Sequence, residues 1–440
     1  MRPFLFIQMV LLLLAPTARL QAQGSWEKIP VPTSKTLNSV FFTDSVTGWV
    51  AGDSGTILHT VDGGKNWVRQ QTHTTNEVLG LFFLDRNHGW ASSFNYKKEP
   101  FGTLMLKTND GGNTWDTSTY PQNDIFIYSI YYFDSLNGWM GGRPHALVKT
   151  TDGGKHWTQA AIDTSTLAFF PVEYITFWNR KHGYASGGIF DVAGVIWSTH
   201  DYGEHWKAID GSQAPADEVH ALHCFDSTHV IGAGGDPDFG YGVGMIRTAD
   251  GGAAWTYQEL SMQGNARDLA FRTGRECWAP LGARQRMIYS LDTGYTWTEI
   301  PAPESSVIMR ICFPDSLHGY GVGKNGTFIR YKPHASGIAE TAPGITLAGP
   351  YPNPCGDEAW IRISLPFETR RTSCRFSVRI FSAMGYEVNA VHEMLSEPGQ
   401  TRVRIQTNNL QAGVYFIRIS DIGREGSVTP IGVMKLVRGD

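Results

Sequence analysis

Apolar and polar positions alternate along this chain in short runs, and one run keeps returning. An apolar residue is followed three positions on by another, then by an aromatic and an aspartate at steps of two, and five positions later by a second aromatic: Leu37, Val40, Phe42, Asp44, Trp49. Period-two alternation that ends at a turn-forming carboxylate predicts a half-buried strand entering a hairpin. Counterparts end at Asp85/Trp90, Asp134/Trp139, Asn179/Tyr184, Asp226/Ile231, Thr273/Trp278 and Asp315/Tyr320, which makes seven copies spaced 41 to 49 residues apart. That period is the length of a four-stranded propeller blade.

A second pattern, Thr/Ser-x-Asp-x-Gly-x-x-Trp, follows six of the seven units, with its carboxylate at Asp62, Asp110, Asp152, Asp201, Asp250 and Asp292. In a tight hairpin the carboxylate accepts backbone N–H bonds, the glycine takes positive φ and the indole covers the turn. Six equivalent active sites are implausible, so these aspartates read as structural.

The seventh unit, Gly323 to Tyr331, aligns with Gly52 to Thr60 and then lacks both the box and an outer strand. Trp26-Glu27-Lys28-Ile29-Pro30 has the form of the outer strand Trp297-Thr298-Glu299-Ile300-Pro301. The expectation is an all-β, seven-bladed β-propeller whose N-terminal strand closes the last blade, leaving no open sheet edge at the junction.

Composition then narrows the class. The chain has 49 glycines, 12% aromatic residues and a net charge of -4. No sustained helical period appears, and no broad basic surface is available for nucleic acid. Arg2 precedes the apolar run Phe4 to Ala15, with a small-residue exit at Ala22. That is the form of a signal peptide, too short to span a membrane. No cysteine lies near the exit, which argues against a lipid anchor there, and no transmembrane segment is expected in the mature chain. Of the five cysteines, Cys224 and Cys312 sit at apolar inner-strand positions, while Cys355 and Cys374 are equally readable as a bridge or as free thiols.

After Lys332 the repeat stops. The expected division is 1–22 signal peptide, 23–333 propeller, 334–347 linker and 348–440 a small C-terminal β-sandwich of short alternating strands. This last segment opens with Tyr351-Pro352-Asn353-Pro354, carries Gly413-Val414-Tyr415-Phe416 at its centre and ends in Met434-Lys435-Leu436-Val437-Arg438. Those motifs resemble the C-terminal sorting domain of type IX secretion cargo, with Cys355 a departure from the usual pattern. The resemblance implies passage across the inner membrane by signal peptide, engagement of the type IX machinery, and secretion or attachment at the outer-membrane surface.

The propeller, through Phe42, Gly48-Trp49 and Asp62-Gly63-Gly64, resembles the Asp-box (BNR) family that includes photosystem II assembly factors. A photosynthetic role does not follow from fold likeness. Any ligand site is expected opposite the boxes, where inner-strand entrances and the second-to-third-strand loops converge. The positions six residues before each aspartate landmark are Asn38, Leu79, Tyr128, Glu173, His220, Arg267 and Met309, and the next residues include Tyr174, Asp268 and Arg310. Three longer loops are expected on that face, at Ser92 to Phe101, Gly188 to Gly194 and Gly235 to Gly242. Ionisable side chains gather on blades four to seven, which makes Glu173, His220, Arg267 and Arg310, with Asp236 and Asp238, the candidate ligand-binding set. The function expected is a binding or scaffolding module for an extracellular protein or glycan. The competing reading is a sialidase- or xyloglucanase-like glycoside hydrolase, which needs a carboxylate pair from Glu173, Asp191, Asp236, Asp238 and Asp268. No catalytic residue, cofactor or metal motif stands out: the 14 histidines never fall in H-E-x-x-H or Cys/His spacing.

Overall fold

Each recurring run forms the inner strand of a four-stranded antiparallel sheet, and seven such sheets make up the larger part of the molecule. The computed structural model describes residues 24–163, 167–236, 238, 240–333, 346–351, 353, 355–364, 375–382, 387–388, 392–397, 400–422 and 428–439. The expected signal peptide, residues 334–345 of the expected linker and Cys374 lie outside the described residues, and the first strand of the C-terminal segment, Thr346–Tyr351, begins two residues inside that linker. Blade one comprises Leu37–Phe42, Gly48–Gly52, Thr56–Thr60 and Val68–Arg69, and the order repeats through blade six. In blade four the sheet gains a fifth strand, Ala161–Ile162, which runs parallel to the outer strand His205–Ala208.

Blade seven is completed from the other end of the chain. Ser25–Lys28 pairs antiparallel with Thr327–Lys332, with Trp26 opposite Tyr331. The Trp26 indole is buried and meets Trp278, Phe313 and Tyr331 edge-on at 5.3 to 5.7 Å. Its Nε1–H has no hydrogen-bond partner among the described residues, whereas the box indoles of Trp67, Trp206 and Trp297 donate to their own box glycine carbonyls. A closing strand that arrives without a box forfeits that acceptor.

The boxes are turns. In the first, Asp62 Oδ1 accepts the N–H groups of Lys65 and Asn66 at 2.9 Å each, and Thr60 Oγ1 accepts that of Gly64 at 3.0 Å. Gly64 sits at φ +80°, open to glycine and costly for other residues. Backbone and side-chain hydrogen bonds from Asn66 hold the Asp62 carboxyl at about 2, below its ordinary range.

The C-terminal segment forms two four-stranded antiparallel sheets that bury Ile361, Ile363, Val378, Ile380, Val403, Ile405, Ile417 and Ile419 between them. Its opening and closing motifs meet: Asn353 Oδ1 accepts the Val437 N–H at 2.8 Å, and Cys355 N–H donates to the Val437 carbonyl at 2.8 Å. Tyr415 Oη donates to the Gln411 carbonyl at 2.9 Å, pinning the turn before the central strand. Among the described residues Cys355 is a buried free thiol, as are Cys224 and Cys277, and Cys374, its partner in the bridge weighed above, lies outside them.

Candidate functional site

Six of the seven inner strands carry a β-bulge at the same place. The register slips between Leu37/Ser39, Val78/Gly80, Ile127/Ser129, Val172/Tyr174, Val219/Ala221 and Ile308/Arg310. The bulged residues are therefore Asn38, Leu79, Tyr128, Glu173, His220 and Met309, the positions counted six before each aspartate landmark. A bulge leaves its extra residue outside the ladder and re-aims the side chain. Blade six departs from the others. Pro280 cannot donate to a ladder, the inner strand there shrinks to Ala270–Phe271, and Arg267 N–H bonds the Pro280 carbonyl at 3.0 Å.

Glu173 and His220 come together across the boundary of blades four and five, with His220 Nδ1 2.7 Å from Glu173 Oε2. Three residues that the sequence pattern did not single out complete the group. Arg143, at the end of the second strand of blade three, places Nη2 against Oε1 of both Glu173 and Glu218. Glu218 Oε2 lies 3.8 Å from His220 Nε2, and the Asn265 amide nitrogen lies 3.0 Å from the same Nε2. His220, Glu218 and Asn265 are all buried. Burial pushes the Glu173 carboxyl up, but the hydrogen bond with His220, then the charge of Arg143, outweigh it and hold the carboxyl at about 2. Burial also opposes the Arg143 charge, and the two glutamates reverse that and raise it.

Arg267 and Arg310 form a second sector on blades six and seven. Arg310 Nη1 donates to the Arg267 carbonyl, and neither guanidinium forms an ion pair among the described residues. Burial, then the neighbouring Arg310 charge, pushes the Arg267 pKa down, while Glu173 and Glu218 lie within electrostatic reach. Arg267 lines a shallow cavity of about 70 Å³ with Asn265, Leu281, Ala283, Val307, Met309 and Lys324.

Two of the remaining carboxylates, Asp236 and Asp268, are taken up by backbone N–H groups. Asp236 does not reach the cluster: its two carboxylate oxygens accept the N–H groups of Asp238, Gly240 and Tyr241 at 2.6 to 3.0 Å, closing its own loop, and Asp238 is exposed on that loop. Asp268 is a strut between blades, with Oδ2 accepting the Ile311 N–H at 2.9 Å just as Ser129 Oγ accepts that of Ile175 at 3.0 Å. Of the longer loops, Ser92 to Asn95 belongs to the strand Gly89–Asn95, and Gly188 to Gly194 folds as a tight hairpin about Asp191, whose φ is 56°.

With this geometry in place, the comparisons with known proteins fall on the same two parts of the chain. Residues 18–90 and 67–218 match the family described as photosynthesis system II assembly factor YCF48, and residues 350–429 match the secretion system C-terminal sorting domain. A photosystem II assembly lipoprotein Ycf48 from Nostoc sp. is 25% identical over 329 residues, 72% of this chain and 90% of that protein. Its counterpart from Synechococcus sp. is 28% identical over 144 residues, 32% of this chain and 39% of that protein. Among solved structures, YCF48 bound to D1 peptide superposes with a TM-score of 0.55 at 22% identity, covering 70% of this chain and 96% of that one. The larger domain is thus an Asp-box propeller similar to the photosystem II assembly factors. The smaller is a type IX sorting domain, which directs export and association with the outer membrane or cell surface. Among the described residues no helix is long and apolar enough to cross a membrane.

Proposed function

We propose that this protein is an exported binding module that holds an acidic segment of a partner protein against the loop face of its propeller, in the sector of blades six and seven. The observation that carries this reading is the pair Arg267 and Arg310, two partly buried cations on adjacent blades with no ion-paired carboxylate among the described residues. Glu173 and Glu218 act on Arg267, and Asp268 on Arg310, without a direct ion pair, so an incoming carboxylate that pairs with the two arginines offsets part of the cost of burying these charges. Beside them Leu281, Val307 and Met309 line an apolar wall suited to a side chain next to the acid. The solved structure of YCF48 bound to D1 peptide gives a precedent for peptide binding on this fold. The glycoside hydrolase reading loses support from the same geometry. Asp268 and Asp236 are committed to backbone N–H groups, and Glu173, held at about 2, is a poor proton donor near neutral pH. Probing the full chain against acidic and charge-neutralised peptide arrays, with a polysaccharide array alongside, tests the proposal. Retention by acidic peptides alone is the expected result, and retention by polysaccharides alone would reject it.

A further inference from the structure

We infer that His220, Glu218 and Asn265 form a binding site for a first-row divalent cation, Zn²⁺ being the best fit. The inference does not depend on the peptide reading.

It starts from an excess of lone pairs. His220 Nδ1 lies 2.7 Å from Glu173 Oε2 and Nε2 lies 3.0 Å from the Asn265 amide nitrogen, the contacts of a ring that donates at Nδ1 and accepts at Nε2, and Nε2 also faces a second acceptor, Glu218 Oε2, at 3.8 Å. Asn265 is 3% exposed, and its amide nitrogen points at Nε2 from 3.0 Å, yet its Oδ1 has no hydrogen-bond partner among the described residues. Amide oxygen and nitrogen are assigned from the surrounding network rather than observed. Turning the Asn265 amide over exchanges the contact of its Nδ2 with Nε2 for an Oδ1 that faces the same gap, where a bound ion gives that buried acceptor the partner it lacks. Three acceptors, one imidazole nitrogen, one carboxylate oxygen and one amide oxygen, then converge at separations of 3.0 and 3.8 Å about Nε2. An ion about 2.0–2.2 Å from each of two donors spans gaps of this size.

The surroundings match what such a site requires. Glu173 orients the imidazole through the ring nitrogen remote from the ion, the carboxylate–histidine arrangement that fixes the tautomer of a metal ligand. Arg143 leaves the position open, because it holds Oε1 of Glu218 and of Glu173 and not the Oε2 that faces His220. Glu173, Glu218 and His220 offer ligand atoms that all lie within 4.8 Å of one another. Imidazole with oxygen donors favours Zn²⁺ over the hard cations, which take oxygen alone. Three protein ligands leave a fourth position for water or a ligand group.

The test uses the full chain, stripped with a chelator and titrated with ZnCl₂ by calorimetry, together with anomalous diffraction at the zinc edge. Binding of one equivalent is expected, with an anomalous peak about 2 Å from His220 Nε2. His220→Gln and Glu218→Gln should abolish it, and Glu173→Gln should weaken it by about 10–100-fold, the usual effect of removing an orienting partner. A melting curve for each variant separates lost metal from lost fold. Should the His220 variant not fold, the anomalous map of the unmodified chain decides. No binding, or a peak only at exposed pairs such as Asp85 and His88, would overturn the assignment and leave a second imidazole proton as the occupant of the gap.

Discussion

Trp26 lies opposite Tyr331 in the ladder that joins the two ends of the propeller, their ring centroids 5.3 Å apart. The ring is held shut by a strand whose partner lies some 300 residues away in sequence, and Arg330 reinforces it with an ion pair to Glu27 at 2.8 Å. Trp26→Ala removes a buried indole from contact with Trp278 and Phe313 as well. The expected loss is about 3–5 kcal/mol of stability, read as a lower denaturant midpoint. An unchanged midpoint would mean that closure does not depend on this strand.

Asp268 gives a second prediction. Burial pushes its carboxyl pKa up, and the Ile311 N–H across the blade boundary depends on it. Asp268→Ala leaves that buried donor unsatisfied at a cost of about 1–3 kcal/mol, while Asp268→Asn, which keeps an acceptor, should cost less. Equal losses in the two variants would contradict the strut.

Acid should weaken the turns. The Asp62 carboxyl is held at about 2 in the fold, against about 3.9 for an unperturbed aspartate. Because the folded value is the lower one, its contribution is complete above about pH 4 and is lost as the pH falls towards 2. The denaturant midpoint should hold steady from pH 7 to about pH 5 and drop most steeply below pH 4, with a shallower drop in Asp62→Asn. A flat profile down to about pH 2 would remove the boxes from the acid response.

Removal of residues 348–440 should leave the propeller folded and retained in the periplasm, as read by cell fractionation. Among the described residues the hydrophobic core of the sorting domain shares no member with those of the propeller, as expected of domains that fold independently. Truncated protein at the cell surface would point to another route of export.

Much of this is legible in the sequence because a repeat keeps its register. Counting six residues back from each aspartate landmark finds the bulge residues Glu173 and His220 without any structure, since nearly every blade re-aims the same position. Arg143, Glu218 and Asn265 escape the count for separate reasons. Arg143 ends a second strand, where hairpin length varies between blades. Glu218 stands two positions before the bulge, and Asn265 precedes the one inner strand cut short opposite a proline. Asp236 misleads because a carboxylate in a glycine-rich loop looks the same in sequence whether it meets a ligand or its own backbone. Pairing across blades is set by closure of the ring, which no local pattern encodes.

Of all the measurements available, the affinity of the Arg267→Ala/Arg310→Ala double variant for an acidic peptide selected on the array bears most directly on the proposed function. With its melting temperature near that of the unmodified chain, the variant should bind about 2–5 kcal/mol more weakly, the cost of removing paired, desolvated charges at an interface. Undiminished affinity in the folded variant would contradict the account and leave the two arginines as a solvated rim.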